Sequence, residues 1–219
     1  MDHKMVSLAD QVFEQLEKSI LNGTYQRDEN LTESRLSAEM GVSRTPIREA
    51  FFRLAQEHLL EISPKGAKVL GVTEQDIEDI YNIRIRIEGL ASRLVAEHIT
   101  DEGVQELQRT LDLQEFYTMK GEPEGIKNMD DSFHQAIYRL CGSPALRYTL
   151  EPLHRRIVKY RKASFSTHRR AENSLQEHLA ILQAIRDHDA DRAEALTIQH
   201  IENAKNNIIS RGTENTCLD

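Results

Sequence analysis

Three histidines and one aspartate are spaced so that they could bind a metal ion together. Asp130 and His134 lie four residues apart in the segment NMDDSFHQAIYRL, which places both side chains on one face of a helix. His178 and His200 lie in two later segments, each among apolar residues at helical spacing. One carboxylate and three imidazoles suit Zn²⁺, Ni²⁺ or a similar first-row ion, with positions left for water or an anion. These four residues are therefore candidate metal ligands.

The position of the break between the last two helical segments places His178 and His200 level with each other. The break is centred near Asp189, which is 11 residues after His178 and 11 residues before His200. In an antiparallel helical hairpin both histidines would lie about 16 Å from the turn, close enough to share a ligand. A single histidine on an apolar face is more often a core residue than a ligand, so that interpretation stays open for each residue taken alone.

A second group of residues suits contact with nucleic acid. Four arginines, but only two acidic residues, lie between positions 35 and 53, although residues 1–72 as a whole hold nine Lys and Arg against eleven Asp and Glu. Arg44 and Arg48 are four residues apart and share one helix face, where the planar guanidinium suits bidentate contact with guanine or phosphate. Thr45 adds a hydroxyl donor for phosphate. The alternative is a solvated helix face on which the arginines pair with Glu39 and Glu49.

The composition limits the classes of protein to which the chain can belong. Its 219 residues carry a net charge of −8, which argues against broad electrostatic binding to nucleic acid or to anionic membranes. Only ten glycines and five prolines leave little material for a turn-rich β fold. The two cysteines form no CxxC pair, and we find no signal peptide or membrane-spanning run, so a reducing cytoplasm is the expected location.

The elements that would carry the arginines form a helix-turn-helix followed by a hairpin. Apolar spacing predicts a helix over residues 8–22, and Thr32 and Gly41 are the expected cap and stop of a second helix over 33–40. Ser43 and Pro46 mark the start of a third helix, which would enter a major groove. The segment LLEIS-PKG-AKVLGV predicts a β-hairpin that would act as a wing.

The candidate metal ligands fall in a region that is helical throughout. Periodicity and caps predict six helices, at about residues 73–98, 100–119, 123–141, 144–163, 170–188 and 190–210. The expected fold class is therefore mainly α, with an N-terminal winged helix-turn-helix and a C-terminal all-α helical bundle. The expected domains are residues 1–72 and 73–212, followed by a flexible tail at 213–219.

The stretch LTESRLSAEMGVSRTPIREAFFRLAQEHLL, and "SRTPIREA" above all, resembles the helix-turn-helix signature of the GntR transcriptional regulators. The resemblance covers about residues 8–72 and implies a homodimer that binds a palindromic operator in double-stranded DNA. By position it implies DNA contacts from Arg35, Arg44, Thr45 and Arg48, with Gly66 at the wing tip. Similar domains have Pro-Gly where this chain has Arg27-Asp28, and glycine where it has His58.

The region of about 73–210 resembles the FCD ligand-binding domain of the FadR subfamily of these regulators. Metal-binding members carry D-x3-H followed by two further histidines, a pattern that Asp130, His134, His178 and His200 match. The resemblance implies a small carboxylate effector at the metal, with Arg84 as a candidate contact unless it only pairs with Glu88. The other histidines match nothing in the pattern and are interpreted as surface or capping residues; they are His3, His58, His98, His154, His168 and His188.

These observations predict a DNA-binding transcriptional regulator, most simply a repressor, rather than an enzyme. Its operator affinity would depend on a small organic acid bound at a divalent metal, with Zn²⁺ as the first choice. Two alternatives stay open at this point. The Asp and His cluster could activate water in a metal-dependent enzyme, although the sequence has no HExxH motif. Alternatively, the metal could be purely structural in a regulator that senses nothing.

Overall fold

The chain folds into two compact units, Met1–Thr73 and Glu74–Asp219. The structure is a computed structural model that describes the backbone of residues 7–160 and 168–215, and the side chains of residues 7–157 and 169–208. Within the described ranges, every helix is too short or too polar to span a lipid bilayer.

The N-terminal unit contains three helices and a small antiparallel sheet. Its elements are α1 (Leu8–Leu21), β1 (Asn30–Leu31), α2 (Glu33–Met40), α3 (Arg44–Gln56), β2 (Leu60–Ser63) and β3 (Gly66–Val69). The strand order is β1-β3-β2, and β2 and β3 form the predicted hairpin, with Ser63 paired to Gly66. Strand β1 was not predicted from the sequence, because two residues are too few to show an alternating pattern.

Local signals in the sequence explain the turn between α2 and α3. The Thr32 side chain accepts a hydrogen bond from the backbone N–H of Arg35, and Gly41 ends α2 at a φ of 67°, in the left-handed region. Ser43 precedes α3, and Pro46 lies in its first turn, where its missing N–H costs no hydrogen bond. The apolar face of α3 is buried against α1 and the sheet; it comprises Ile47, Ala50, Phe51 and Leu54.

The two positions where similar domains carry glycine keep a glycine-like backbone. Asp28 has a φ of 68° and His58 a φ of 57°, both in the left-handed region that ordinary residues avoid. Asp28 forms an ion pair with Lys68 of β3, with 2.7 Å between carboxylate oxygen and ammonium nitrogen. The chain therefore preserves the two turns despite the sequence differences.

The described part of the C-terminal unit is entirely helical. Its elements are α4 (Glu74–His98), α5 (Asp101–Lys120), α6 (Pro123–Leu140), α7 (Pro144–Tyr160), α8 (His168–Arg186) and α9 (Ala190–Asn215). A single apolar cluster from these helices forms the core and includes Val95, Leu107, Phe133 and Ile185. The fold class, a winged helix-turn-helix with an all-α C-terminal region, is as predicted.

The largest differences from the predicted boundaries lie near the end of the chain. Helix α9 continues to Asn215, beyond the predicted end near residue 210 and into the predicted tail. Residues 216–219 of that tail, and residues 161–163 of the predicted seventh helix, lie outside the described residues. At the turn between α8 and α9, Asp189 accepts a hydrogen bond from the backbone N–H of Arg192 and caps α9.

Candidate metal centre and DNA-binding face

The structure brings together the three histidines that the sequence singled out. His134 comes from α6, His178 from α8 and His200 from α9, and all three side chains are buried. Helix α8 packs antiparallel to α9, so His178 and His200, equidistant from the turn, lie side by side. Their Nε2 atoms are 3.2 Å apart, and Nε2 of His200 is 3.3 Å from Nε2 of His134.

The opposite nitrogen of each ring is held by a hydrogen-bond acceptor. Nδ1 of His134 lies 2.6 Å from a carboxylate oxygen of Glu88, and Nδ1 of His200 lies 2.6 Å from one of Glu177. Nδ1 of His178 lies 3.0 Å from the amide oxygen of Gln114. These contacts orient the rings, so that the three Nε2 atoms turn towards one another.

This donor set fits a tetrahedral metal ion. Zinc–nitrogen bonds of about 2.0–2.1 Å place the nitrogens of a tetrahedral site about 3.3 Å apart, as observed for the two Nε2 pairs. Metal-bound histidines characteristically donate their second N–H to a carboxylate or a carbonyl oxygen, as these do. Burial lowers the pKa of both His178 and His200, so that both rings are neutral and able to act as ligands.

Asp130 lies at the edge of this histidine cluster. Its Oδ1 atom is 3.8 Å from Nε2 of His178 and accepts a hydrogen bond from the hydroxyl of Ser174 at 3.1 Å. The aspartate is buried, and it shares a helix face with His134, as its i,i+4 spacing predicted. Among the residues whose side chains are described, the three histidines form the tight group, and Asp130 lies beside them.

Arg84 is fully buried and is tied to the cluster through Glu88. Its Nε and Nη2 atoms donate to the two Glu88 oxygens at 2.8 and 3.2 Å. Burial opposes ionisation of Glu88, but the charge of Arg84 and the hydrogen bonds from His134 and Arg84 outweigh burial and hold its pKa well below the usual range. The intrahelical pair anticipated for Arg84 is therefore formed, and the same carboxylate also orients His134.

The interpretation of His154 as a surface or capping residue is wrong. The ring is fully buried on α7, with its centroid 4.8 Å from that of His134, and Nε2 lies 2.8 Å from Oδ1 of Asp131. Burial lowers its pKa to about 4, against the effect of Asp131. A signal was present in the sequence, because Leu150 and Ile157, both buried, share its helix face.

The remaining histidines lie away from this cluster or outside the described side chains. His58 and His98 are exposed, and Nδ1 of His188 lies 2.7 Å from the Ala96 carbonyl oxygen at the turn after α8. The side chains of His3 and His168 lie outside the described residues.

The arginines of the N-terminal unit lie at its surface, and three of them, Arg35, Arg48 and Arg53, are paired with acids. Arg44, Thr45 and Arg48 are exposed on the first turns of α3. The Nε and Nη2 atoms of Arg48 donate to both carboxylate oxygens of Glu33 at 2.7 and 2.8 Å, and Glu33 is not one of the two acids that the solvated-face alternative named.

Arg35 of α2 bridges two acids. It donates to Glu29 and to Glu39, each at 2.7 Å, and the Arg35–Glu39 pair is the one anticipated from the sequence. All these pairs are exposed, where the strength of an ion pair is about 0–1 kcal/mol. The arginines can therefore exchange these partners for phosphate or guanine at small cost.

Gly66 has a structural reason to be glycine. Its φ is 133°, and a Cβ atom built there would lie 2.4 Å from the Leu31 carbonyl oxygen of β1. The hairpin tip itself is Pro64-Lys65, so Gly66 opens β3 beside the tip rather than at it. The exposed Lys65 at this tip is a cation that the sequence reasoning overlooked.

Comparisons with known proteins agree with both halves of the chain. The profile of the bacterial regulatory proteins of the gntR family matches residues 8–69, and the FCD domain profile matches residues 79–203. The HTH-type transcriptional regulator YdhC of Bacillus subtilis is 30% identical over 211 residues, which cover 94% of each chain. The HTH-type transcriptional repressor RspR of Escherichia coli K12 is 27% identical, covering 94% of this chain and 91% of that one.

A solved structure extends the likeness to three dimensions. The structure of Escherichia coli McbR/YncC superposes with a TM-score of 0.69 and 26% identity, covering 91% of this chain and 95% of that one. The FCD profile covers more than half of the chain, and YdhC matches nearly its whole length. The chain therefore belongs to the GntR family of bacterial transcriptional regulators, with an FCD domain following its DNA-binding helix-turn-helix.

Proposed function

We propose that this regulator is a repressor whose operator affinity is controlled by a small organic acid bound at a metal in the FCD domain. The observation that carries the proposal is the convergence of three Nε2 atoms, each on a ring whose Nδ1 is held by an acceptor. Without a cation, the Nε2 atom of His200 faces those of His178 and His134 at 3.2 and 3.3 Å in a buried site, and repulsion between the lone pairs of these atoms is unfavourable. A bound metal removes this repulsion.

The metal ligands of the proposal are His134, His178 and His200, with Asp130 as the fourth. Imidazole donors and one carboxylate favour Zn²⁺, although Ni²⁺ and other first-row ions suit the same ligands. The metal would act as a Lewis acid, and an effector carboxylate would bind as a fifth ligand, because such ions can expand from four to five ligands. Arg84, buried beside His134, would provide positive charge for the same acid.

The DNA-binding part of the proposal concerns the first turns of α2 and α3 and the hairpin. Arg44, Thr45 and Arg48 would contact bases and phosphates, Arg35 would contact the backbone, and Gly66 would let the hairpin approach DNA. The active form would be a homodimer on a palindromic operator, because two-fold protein symmetry matches such a site. The domains would divide at residues 72 and 73.

The effector claim is tested by measuring operator affinity with the metal-loaded protein. An operator is first selected from random duplex DNA, and its Kd is then measured by fluorescence anisotropy at fixed salt. Small carboxylic acids are titrated against the zinc-loaded protein and against the protein stripped with a chelator. We expect at least one acid to change the Kd by about 5-fold to 150-fold, and only in the loaded protein. If no acid changes the Kd although zinc is bound, the metal is purely structural and the proposal is wrong.

The DNA contacts are tested by Arg44→Ala and Arg48→Ala on the selected operator. Each change should abolish most of the preference for the operator over random DNA while the melting temperature stays constant, because both side chains are exposed. Arg48→Lys is the matched control, since it keeps the charge and loses the bidentate fork. If both alanine variants keep the wild-type preference for the operator over random DNA, the first turns of α3 are not the DNA-binding face.

A further inference from the structure

The N-terminal unit carries two exposed apolar side chains beside its DNA-binding arginines. Among its described side chains, the large apolar residues that are exposed are Leu8, Phe52 and Ile62. Phe52 of α3 is 57% exposed and Ile62 of β2 is 43% exposed, and both line one cavity of about 340 Å³ that is bounded by α3 and the β2–β3 hairpin. A phenylalanine ring left in water forgoes the favourable free energy of its burial. Two such side chains around one cavity therefore indicate that a partner covers them.

Phe52 lies on the same face of α3 as the residues assigned to DNA contact. Successive residues of an α-helix are about 100° apart, so Phe52 lies about 80° around the axis from Arg44, between Arg48 at about 40° and Thr45 at about 100°. It follows Arg48 by one helical turn, about 6 Å farther along the axis. A duplex that reaches the arginines and Thr45 therefore also comes within reach of the Phe52 ring.

The charges around the cavity favour DNA as the partner that covers it. Arg48 and Lys65 both line the cavity. Among the described residues that line it, Glu33 is the one acid, and its carboxylate is already paired with Arg48. Both walls of the cavity also belong to the helix-turn-helix region that matches the gntR family. The apolar patch is therefore continuous with the DNA-binding face and carries the charge that suits a polyanion.

The major groove offers an aromatic ring one apolar group to contact. Base pairs present hydrogen-bond donors and acceptors there, together with the 5-methyl group of thymine, which phenylalanine contacts favourably. Cytosine has no methyl group at this position, and purines present polar atoms instead. A contact between a phenylalanine ring and the methyl group therefore distinguishes thymine from the other bases.

We propose that Phe52 contacts the 5-methyl group of a thymine in each half of the operator and so determines the base preferred at that position. The inference rests on the proposed function, because it assumes that the first turns of α3 enter the major groove. It adds an uncharged specificity-determining residue to the arginines of α3.

The test uses the full chain and the operator selected from random DNA. Each thymine of one half-site, together with its symmetry mate, is replaced by uracil, which lacks the 5-methyl group and keeps the hydrogen-bonding groups. The Kd of every duplex is measured by fluorescence anisotropy at fixed salt for the wild type, Phe52→Ala and Leu8→Ala. Leu8→Ala is the matched control, because Leu8 is an exposed apolar residue of the same unit that does not line the cavity.

We expect one thymine position at which uracil raises the wild-type Kd about 4-fold for each half-site, the factor that corresponds to burial of one methyl group. Phe52→Ala should bind the thymine operator more weakly and should no longer respond to uracil at that position. Leu8→Ala should keep the wild-type affinity and the wild-type response. The melting temperature of Phe52→Ala should stay constant, because the ring is largely exposed.

The inference is overturned if the wild type and Phe52→Ala respond equally to uracil at every position. It is also overturned if Phe52→Ala weakens binding to thymine, uracil and random duplexes alike, because the ring then contacts the sugar-phosphate backbone. An unchanged Kd in Phe52→Ala would overturn it as well and would point to a protein partner at this patch. These three results leave the proposed function standing. If selection yields no operator for the full chain, the proposed function is wrong and the inference with it.

Discussion

Replacing Glu88 by glutamine tests the claim that a buried charge network orients the metal ligands. The Glu88 carboxylate is 1% exposed and accepts hydrogen bonds from two Arg84 nitrogens and from Nδ1 of His134. Glu88→Gln keeps the shape and leaves the Arg84 charge buried without a counter-charge. Breaking a buried pair in this way costs about 3–5 kcal/mol of unfolding free energy. The matched change Glu39→Gln affects an exposed pair with Arg35 and should cost at most about 1 kcal/mol.

The measurement is urea unfolding followed by circular dichroism, with and without zinc. Glu88→Gln should lower the unfolding midpoint far more than Glu39→Gln, and its zinc affinity should fall about 10-fold to 100-fold because His134 loses a carboxylate partner. Adding Arg84→Met should recover part of the lost stability, since the uncompensated charge is then gone. The reasoning is refuted if Glu88→Gln lowers the free energy of unfolding no more than Glu39→Gln does. It is also refuted if the double variant loses as much stability as the two single variants added together.

Four further predictions concern the backbone, acid stability and the metal. Gly66→Ala should lower the free energy of unfolding by about 1–3 kcal/mol more than Gly23→Ala. Both glycines have a positive φ, but only at position 66 would the added Cβ atom meet the Leu31 carbonyl oxygen. Equal losses of stability in urea unfolding would contradict this clash. His58→Gly should raise stability by up to about 1 kcal/mol by relieving the left-handed φ, and a loss in the same assay would count against strain at this turn. In the metal-free protein, His154 should not lower the free energy of unfolding above pH 6.5, the ordinary pKa of histidine, but should lower it increasingly as the pH falls towards 4, its folded pKa. His154→Gln should flatten this pH profile of stability. An unchanged profile would exclude His154 as a cause. A chelator should lower the melting temperature and zinc should restore it, whereas a melting curve insensitive to both would argue against a bound ion.

The metal-binding histidines could be found from the sequence because helix geometry is regular. The i,i+4 spacing placed Asp130 and His134 on one face, and equal distance from Asp189 made His178 and His200 neighbours across a hairpin. Neither argument needs knowledge of how the other helices pack. Helix geometry therefore predicts two pairs, Asp130 with His134 and His178 with His200, whereas the union of the two pairs in one site was implied by the resemblance to metal-binding FCD domains.

The partners of the histidines depend on helix rotation within the bundle. Glu88 lies 46 residues from His134 and Gln114 lies 64 residues from His178, so no local spacing connects them. The burial of His154, by contrast, is locally predictable, because its helix face also carries Leu150 and Ile157. Arg84 shows the intermediate case, since its pair with Glu88 follows from i,i+4 spacing but its burial beside His134 does not.

The metal content of the purified chain tests the central claim most directly. Elemental analysis should find one first-row ion per chain in the wild type and in His98→Ala, an exposed histidine away from the cluster. The content should be lost or strongly reduced in His178→Ala and in His200→Ala, because each removes one of the three converging Nε2 atoms. A wild type without metal, even after incubation with zinc and removal of the excess, would contradict the account.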